Sequence, residues 1–153
     1  MVRYAVREDY DCVESIMKQV QSMHVDWRPD IYKNTDVVLR EEEFYELVEN
    51  SMAVVAVERE TVVGVMLLLC RYVQSNTQVK RKILFIDSMA VDKNYRGQGI
   101  GHQFFDFAKK IVKQDDYDGL ELQVNAKNIA AMEMYKHYGF TEKSINMELL
   151  ENN

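Results

Sequence analysis

The sequence predicts an α/β fold in which a mixed, mostly antiparallel sheet is flanked by helices. Three runs rich in β-branched and apolar residues, at 52–58, 62–73 and 83–91, are separated by short polar links that are typical of hairpins. Towards the C-terminus, helical and strand patterns alternate, as they do where helices connect the strands of one sheet. The predicted order of elements is β-α-α-β-β-β-α-β-α-β.

The first 50 residues are predicted to hold one strand and two helices. Alternating apolar residues indicate a strand at 2–6, and Asp9 is placed to cap the helix that follows. The segment 24–36 is expected to be a loop, because Pro29 disfavours helical geometry at the residue before it. A second helix is predicted at 41–49.

The C-terminal part is predicted to contain two helices and two strands. After a cluster of glycines, apolar residues recur at helical spacing as far as Gln114. A strand is expected at 120–124 and a helix at 128–138, which ends at Gly139. The last strand is predicted at 144–150.

Length and charge limit the classes of function. We expect one domain over residues 1–153, because soluble domains cluster near ~100–150 residues. The formal net charge is −6, and residues 1–60 carry 14 acids against 7 bases. Nucleic-acid binding is therefore not expected, because it needs a basic face. A small cationic partner fits this charge better.

Membrane association and metal binding are not expected either. The longest apolar stretch, 62–70, is far shorter than the ~20 residues that cross a bilayer, and the N-terminus lacks the apolar core of a signal peptide. Cys12 and Cys70 have neither CxxC spacing nor companion ligands, so the sequence predicts no disulfide and no metal site. We expect a cytoplasmic protein.

The most informative segment is the glycine-rich turn at 91–102, which joins a strand end to a helix start. Its glycines let the backbone pass close to an anion, and the first helical turn offers free amides and a positive dipole end. Arg96 adds a fixed charge. A dinucleotide G-x-G-x-x-G motif would need glycine at His102, and no P-loop Gly-Lys-Ser/Thr follows, so the match to either common phosphate motif is weak.

The turn resembles the signature of the GNAT superfamily of N-acetyltransferases, which is Arg or Gln, two residues, Gly, one residue, and Gly or Ala. Here the signature residues are Arg96, Gly99 and Gly101. A second family element is also present, at 128–140. It comprises Asn128, Ala131, Tyr135, Gly139 and Phe140. The resemblance covers nearly the whole chain, in the same order of elements, and is most specific from Ile83 to Phe140.

The resemblance implies acetyl-CoA as cosubstrate and assigns its contacts. It places Asn128, in the motif with Ala131, beside the pantetheine arm, and Tyr135 beside the thiol sulfur. It also implies that the sheet splays between the strands at 83–91 and 120–124. The implied backbone partners of pantetheine are Met89, Ala90 and Val91, and the implied phosphate-binding residues are Arg96, Gly97, Gln98, Gly99, Ile100, Gly101 and His102.

Acetylation of an amine requires a base, because a primary amine has a pKa near ~10.4 and must lose a proton before it attacks. Strict alternation from Ile83 to Val91 would put Asp87 on one face among apolar residues, where a carboxylate needs a partner or a task. Similar GNAT enzymes use an acid there as general base, directly or through water. The alternative is a carboxylate paired with a nearby base or hydroxyl, and Glu121 is the reserve candidate.

Tyr135 is the candidate general acid. A tyrosine in mid-helix usually packs in a core, but the motif match favours the catalytic interpretation. Its phenol, with an ordinary pKa of about 10, can protonate a leaving thiolate whose conjugate acid lies near ~8.5.

The resemblance implies that the acceptor site lies in the loop and helix that follow the first helix. Trp27 and Tyr32 are the candidate substrate-binding residues, with several acids nearby in sequence, and aromatics with acids suit a cationic amine. The glutamates at 41–46 can equally be the solvated first turn of a helix. A polyamine, an amino sugar, an amino acid and a protein amine all remain open.

These observations predict an N-acetyltransferase that moves the acetyl group to a primary amine by direct attack in a ternary complex. The alternatives are a non-catalytic acyl-CoA-binding regulatory module of the same fold, and a protein that uses the turn to bind another nucleotide phosphate. A homodimer is expected from the apolar surfaces that a small sheet leaves and from the habit of the family.

Overall fold

The structure is a computed structural model that describes residues 1–151. The chain forms two compact units, 1–123 and 124–153. Among the described residues, no helix is both long and apolar enough to cross a membrane. The first unit contains β1 (Val2–Tyr4), α1 (Tyr10–Trp27), α2 (Glu41–Glu49), β2 (Ala53–Glu58), β3 (Thr61–Ser75), β4 (Gln78–Val91), α3 (Ile100–Gln114) and β5 (Gly119–Leu122). The second unit contains α4 (Ile129–Tyr138).

The first unit is built on one sheet with the strand order β1-β2-β3-β4-β5. The first four strands pair antiparallel with their neighbours, and β5 pairs parallel to β4 after the crossover through α3. On one face, Val13 and Ile16 of α1 and Phe44 of α2 share a buried cluster with β2 and β3. On the other face, Phe104 of α3 lies against Gly64. The predicted mostly antiparallel sheet with helices on both faces is confirmed.

A buried carboxylate ties the start of α2 to α1. Glu14 is only 8% exposed, and its Oε1 accepts hydrogen bonds from the N–H groups of Val38 at 3.2 Å and Leu39 at 3.0 Å. The Tyr10 hydroxyl donates to the Leu39 carbonyl oxygen at 2.7 Å. Because these bonds satisfy backbone groups in the core, the end of the α1–α2 loop has a defined position.

A β-bulge interrupts the long ladder between β3 and β4. Leu67 pairs with Ser88, but the next residue, Leu68, pairs with Ile86, so Asp87 is the extra residue. After the extra residue, each side chain of β4 points to the face opposite to the one that strict alternation would give it. Residues 89 and 91 therefore share a face of the sheet with 84 and 86. The expectation that strict alternation runs from Ile83 to Val91 is therefore wrong.

The structure differs from the sequence prediction at both ends of α1. The helix α1 continues to Trp27, where a loop was expected from His24, because proline restricts only the residue before it, and Arg28 is where the helix ends. Asp9 is the N-cap residue of α1, as predicted, but its side chain makes no capping hydrogen bond to the helix. Its carboxylate instead accepts from the Val6 N–H at 2.8 Å and pairs with Arg3 through two hydrogen bonds.

The predicted last strand, Ser144–Leu150, is not formed. These residues have no regular secondary structure, and the alternating side chains of Ile145, Met147 and Leu149 are exposed. A strand needs a hydrogen-bonding neighbour, and the described part of the second unit contains a helix and no strand for it to pair with. Apolar alternation alone therefore did not produce a strand here.

The close packing of β3 on α3 can be tested at Gly64. A Cβ added there would lie 3.0 Å from Cε2 of Phe104 and 3.2 Å from the carbonyl oxygen of Ala90, and backbone cannot easily yield. We expect Gly64→Ala to lower the free energy of unfolding by about 1–3 kcal/mol, measured by urea denaturation.

The matched control is Gly119→Ala in the same sheet. The nearest atoms to a Cβ at Gly119 are 3.6 Å away, which is an ordinary contact, so the change should stay within about 0.5 kcal/mol. Equal urea midpoints for the two variants would contradict the described contact.

Candidate active site

The glycine-rich turn between β4 and α3 has the geometry of an anion site. Gly97 and Gly99 have φ angles of +76° and +82°, which disfavour residues with a Cβ, and Gly99 is the N-cap of α3. The first turn of α3 contains no acidic residue, and its leading N–H groups have no acceptor within the helix. A Cβ at either glycine would meet nothing within 4 Å, so space remains for a ligand.

The base of the turn is held by side chains. The Nε of Arg96 donates to the Val91 carbonyl oxygen at 3.0 Å, which fixes the guanidinium across the end of β4. Oδ1 of Asp92 accepts from the Asn94 N–H at 2.9 Å, and its Oδ2 accepts from Gln19 of α1. These bonds, with Gln19 contributing most, lower the pKa of the Asp92 carboxyl.

β4 has strand partners on both edges for only part of its length. Its ladder with β3 continues to Val91, whereas the parallel ladder with β5 ends at Ile86–Leu122. No strand of residues 1–151 pairs with 87–91 on the β5 side. An extended ligand could therefore pair there as a strand does. Met89, Ala90 and Val91 lie in this stretch, in which the Val91 carbonyl oxygen already accepts from Arg96.

Asp87 lies at the bulge and is exposed. The expected burial of this carboxylate among apolar neighbours is wrong, because the extra residue takes it out of the regular alternation. Solvent access suits a group that exchanges protons with water. The reserve candidate, Glu121, lies in β5 with its Oε2 3.6 Å from Nη2 of Arg81, so it is part of an ion pair.

Asn128 and Tyr135 lie in the second unit, on α4. Oδ1 of Asn128 accepts from the Ala131 N–H at 3.3 Å, so Asn128 is the N-cap of the helix. The Tyr135 ring contacts Phe140 edge-on, with centroids 6.0 Å apart. Burial raises the pKa of the Tyr135 phenol, so the hydroxyl keeps its proton at neutral pH and is able to act as an acid.

The two candidate acceptor residues are brought together by a histidine that sequence reasoning did not assign to a site. The His24 ring lies between Trp27 and Tyr32, with centroid distances of 5.8 Å and 4.8 Å. Burial lowers the pKa of His24, so this imidazole is neutral near pH 7. The result is an uncharged aromatic cluster at the end of α1.

The acids that lie near these residues in sequence differ in their partners. Asp30 forms two hydrogen bonds with Arg28, and Glu43 pairs with Arg40 at 2.7 Å. Glu41 accepts a short hydrogen bond from the Tyr45 hydroxyl. Glu43 and Glu46 also line an open groove of about 560 Å³ between α2 and β3. The remaining lining residues are Leu47, Asn50, Met52, Leu68, Leu69 and Cys70.

One lining residue of the groove, Leu68, pairs with Ile86, the residue next to Asp87. The first unit therefore contains the glycine-rich turn, the edge of β4 that precedes it, and a groove with carboxylates and apolar walls between α2 and β3. His102, expected at the phosphates, lies in the first turn of α3 with its ring 6.3 Å from that of Phe105.

The α/β sheet, the turn and the unpaired edge define a domain suited to an extended anionic cofactor. Residues 17–140 match the model of the Acetyltransferase (GNAT) family. The chain belongs to this family of acyltransferases, which confirms the resemblance carried by its two motifs.

Two curated relatives match parts of the chain. An uncharacterized N-acetyltransferase of Methanocaldococcus jannaschii is 35% identical over 83 residues, which are 54% of this chain and 36% of that protein. A streptothricin acetyltransferase of Escherichia coli is 31% identical over 62 residues, which are 40% of this chain and 36% of that protein. The match thus spans about a third of the length of these relatives.

Solved structures share the whole fold. A tetramutant protein from Bacillus halodurans is 28% identical, with a TM-score of 0.92 and coverage of 98% of this chain and 99% of that one. An aminoglycoside N-acetyltransferase in complex with CoA is 12% identical, with a TM-score of 0.72 and coverage of 99% and 98%. At that identity, the second similarity shows the fold alone.

Proposed function

We propose that the chain is an N-acetyltransferase that moves the acetyl group of acetyl-CoA to a primary amine by direct attack in a ternary complex. The observation that carries the proposal is the turn before α3, where two glycines at positive φ have open space beside them and the Arg96 guanidinium is held at the end of β4. Membership of the GNAT family and the shared fold of a CoA-bound acetyltransferase support the same ligand.

The residues of the first unit fit coenzyme A on steric and electrostatic grounds. Residues 96–102 would hold the pyrophosphate with backbone amides and the positive end of the α3 dipole, without an opposing acid in the first turn. Residues 89–91 would pair with the amide groups of pantetheine along the edge that β5 leaves. Asn128 already uses Oδ1 as a cap, so its amide Nδ2 would be the group that meets the ligand.

Bound acetyl-CoA supplies the acetyl group as a thioester. Asp87 would take a proton from the incoming amine, directly or through water, and its exposed position at the bulge is compatible with both routes. Tyr135, which the family motif assigns to the sulfur, would protonate the departing thiolate. The phenol carries its proton at neutral pH, and burial raises its pKa further.

The features of the first unit that suit an amine acceptor are the groove between α2 and β3 and, at the end of α1, the aromatic cluster of Trp27 and Tyr32. The carboxylate of Glu46 would attract a cation, whereas Glu43 is already paired with Arg40, and the apolar walls would accommodate an aliphatic stem. A turnover screen with acetyl-CoA against polyamines, amino sugars, amino acids and lysine peptides identifies the class.

The phosphate site is tested by Gly99→Asp with Gly99→Asn as its control. Both side chains have the same size and the same strain at φ +82°, but only aspartate adds a negative charge against the pyrophosphate. We expect Gly99→Asp to nearly abolish acetyl-CoA binding in isothermal titration, and Gly99→Asn to retain measurable binding. An unchanged affinity of Gly99→Asp for acetyl-CoA would show that this turn does not bind the pyrophosphate.

The general acid is tested by Tyr135→Phe, which keeps the ring and removes the proton. We expect a loss of about 10²–10⁴-fold in kcat, with the Kd for acetyl-CoA unchanged. Full turnover by the variant would show that water or another residue is the acid. If the wild-type chain binds acetyl-CoA tightly but acetylates no amine in the screen, the non-catalytic module is favoured instead.

The base is tested by the pH dependence of Asp87→Asn. The amide cannot accept the proton, so the rate should fall most at moderate pH and recover as pH rises towards the amine pKa of ~10.4, where neutral amine forms without help. The measurement is kcat/KM for the amine from pH 6.5 to 9.5, side by side with wild type. A loss that stays constant over this range would rule out Asp87 as the base.

A further inference from the structure

Gln19, in the middle of α1, joins this helix to the base of the glycine-rich turn. Its Nε2 donates to Oδ2 of Asp92 at 2.8 Å, and its Oε1 accepts from the Lys93 N–H at 2.9 Å. The Gln19 amide thus forms hydrogen bonds with the carboxylate of Asp92, 73 residues away in sequence, and with the backbone N–H of Lys93, 74 residues away. Such a two-point contact restrains both position and orientation.

The segment that Gln19 holds is itself ordered from several sides. The Asp92 N–H donates to the Val63 carbonyl oxygen at 2.8 Å, and the Tyr95 N–H donates to the Asp92 carbonyl oxygen at 2.9 Å. Asp92 also caps the short 3-10 turn that follows β4, through Asn94. Every bond in this set lies immediately before Arg96, where the proposed phosphate contacts begin.

Among the contacts of residues 1–151, the side-chain hydrogen bonds that anchor this region lie at residues 92–96, before the two glycines. Gly97 and Gly99 lose more backbone freedom on ordering than other residues do, and residues 96–99 are exposed. Ordering them at the moment of binding would reduce affinity, whereas a turn that is already held binds more tightly. The hydrogen bonds of Gln19 to residues 92 and 93 hold the chain just before the glycines, and so help to order the turn before the ligand binds.

We propose that Gln19 is a positioning residue for the cofactor turn, because its amide holds Asp92 and Lys93 so that residues 96–102 stand ready for pyrophosphate. The inference rests on the proposed function, since it takes acetyl-CoA as the ligand of the turn. The same amide bond contributes most to the lowered pKa of Asp92, to which the nearby charges of Lys93 and Arg96 also contribute. The carboxylate that Gln19 meets is therefore ionised at neutral pH.

The test measures acetyl-CoA affinity in Gln19→Ala, with Gln21→Ala as matched control. Gln21 is on the same helix and donates its Nε2 to the Lys33 carbonyl oxygen at 2.9 Å, so it makes a similar bond to a different loop. We expect Gln19→Ala to raise the Kd, and the KM for acetyl-CoA, by about tenfold, which corresponds to ~1.4 kcal/mol. At saturating acetyl-CoA, kcat should change by less than about twofold, and Gln21→Ala should leave the Kd unchanged.

A rescue separates positioning from general loss of structure. Gln19→Glu keeps the acceptor for Lys93 but sets a carboxylate against that of Asp92, and should weaken acetyl-CoA binding at pH 7.5 at least as much as alanine. Adding Asp92→Asn to Gln19→Glu restores a donor opposite the new carboxylate, and should recover most of the affinity.

The outcomes distinguish the two proposals. Absence of acetyl-CoA binding in the wild-type chain overturns both. If wild type binds and Gln19→Ala binds within twofold of it, or if Gln21→Ala weakens binding equally, the positioning role is wrong while the cofactor site stands. A double variant no tighter than Gln19→Glu alone also overturns the role of the Asp92 contact.

Discussion

The candidate cofactor site depends on one constraint, which is that the backbone N–H and C=O groups of β4 need partners on both edges of the strand. β5 meets this need only as far as Ile86, whereas β4 continues to Val91. The extra residue of the bulge, Asp87, falls at the same point. At this point the ladder with β5 ends, the side-chain alternation of β4 reverses, and the proposed ligand-binding edge begins. A change in the local strand register would therefore affect all three features.

Features that are encoded locally could be predicted from the sequence. The bounds of α2 at 41–49 follow from a short amphipathic run with acids in its first turn, and α4 begins after a capping Asn128 and ends at Gly139. The glycine turn was recognisable because its positive-φ positions, Gly97 and Gly99, admit few other residues. The roles assigned to Asp87 and Tyr135 came from family resemblance and stay predictions.

Features that depend on distant partners could not be predicted. The bulge at Asp87 is a property of the register between two strands, and no residue type marks it. Gln19 is an ordinary helix residue until the fold brings Asp92 beside it. The segment 144–150 has the alternation of a strand, but alternation does not supply a pairing neighbour, and within its own unit it has none.

The loop between α1 and α2 is tied down by groups outside it that bind its backbone. Glu14 accepts from the N–H groups of Val38 and Leu39, and Gln21 donates to the Lys33 carbonyl oxygen. Almost every amino acid offers the same backbone atoms, so the loop can exchange its side chains in the course of evolution without losing these anchors. Under the proposed function, in which this loop meets the acceptor, a lineage with this architecture is free to change the amine it binds while these backbone anchors stay as they are.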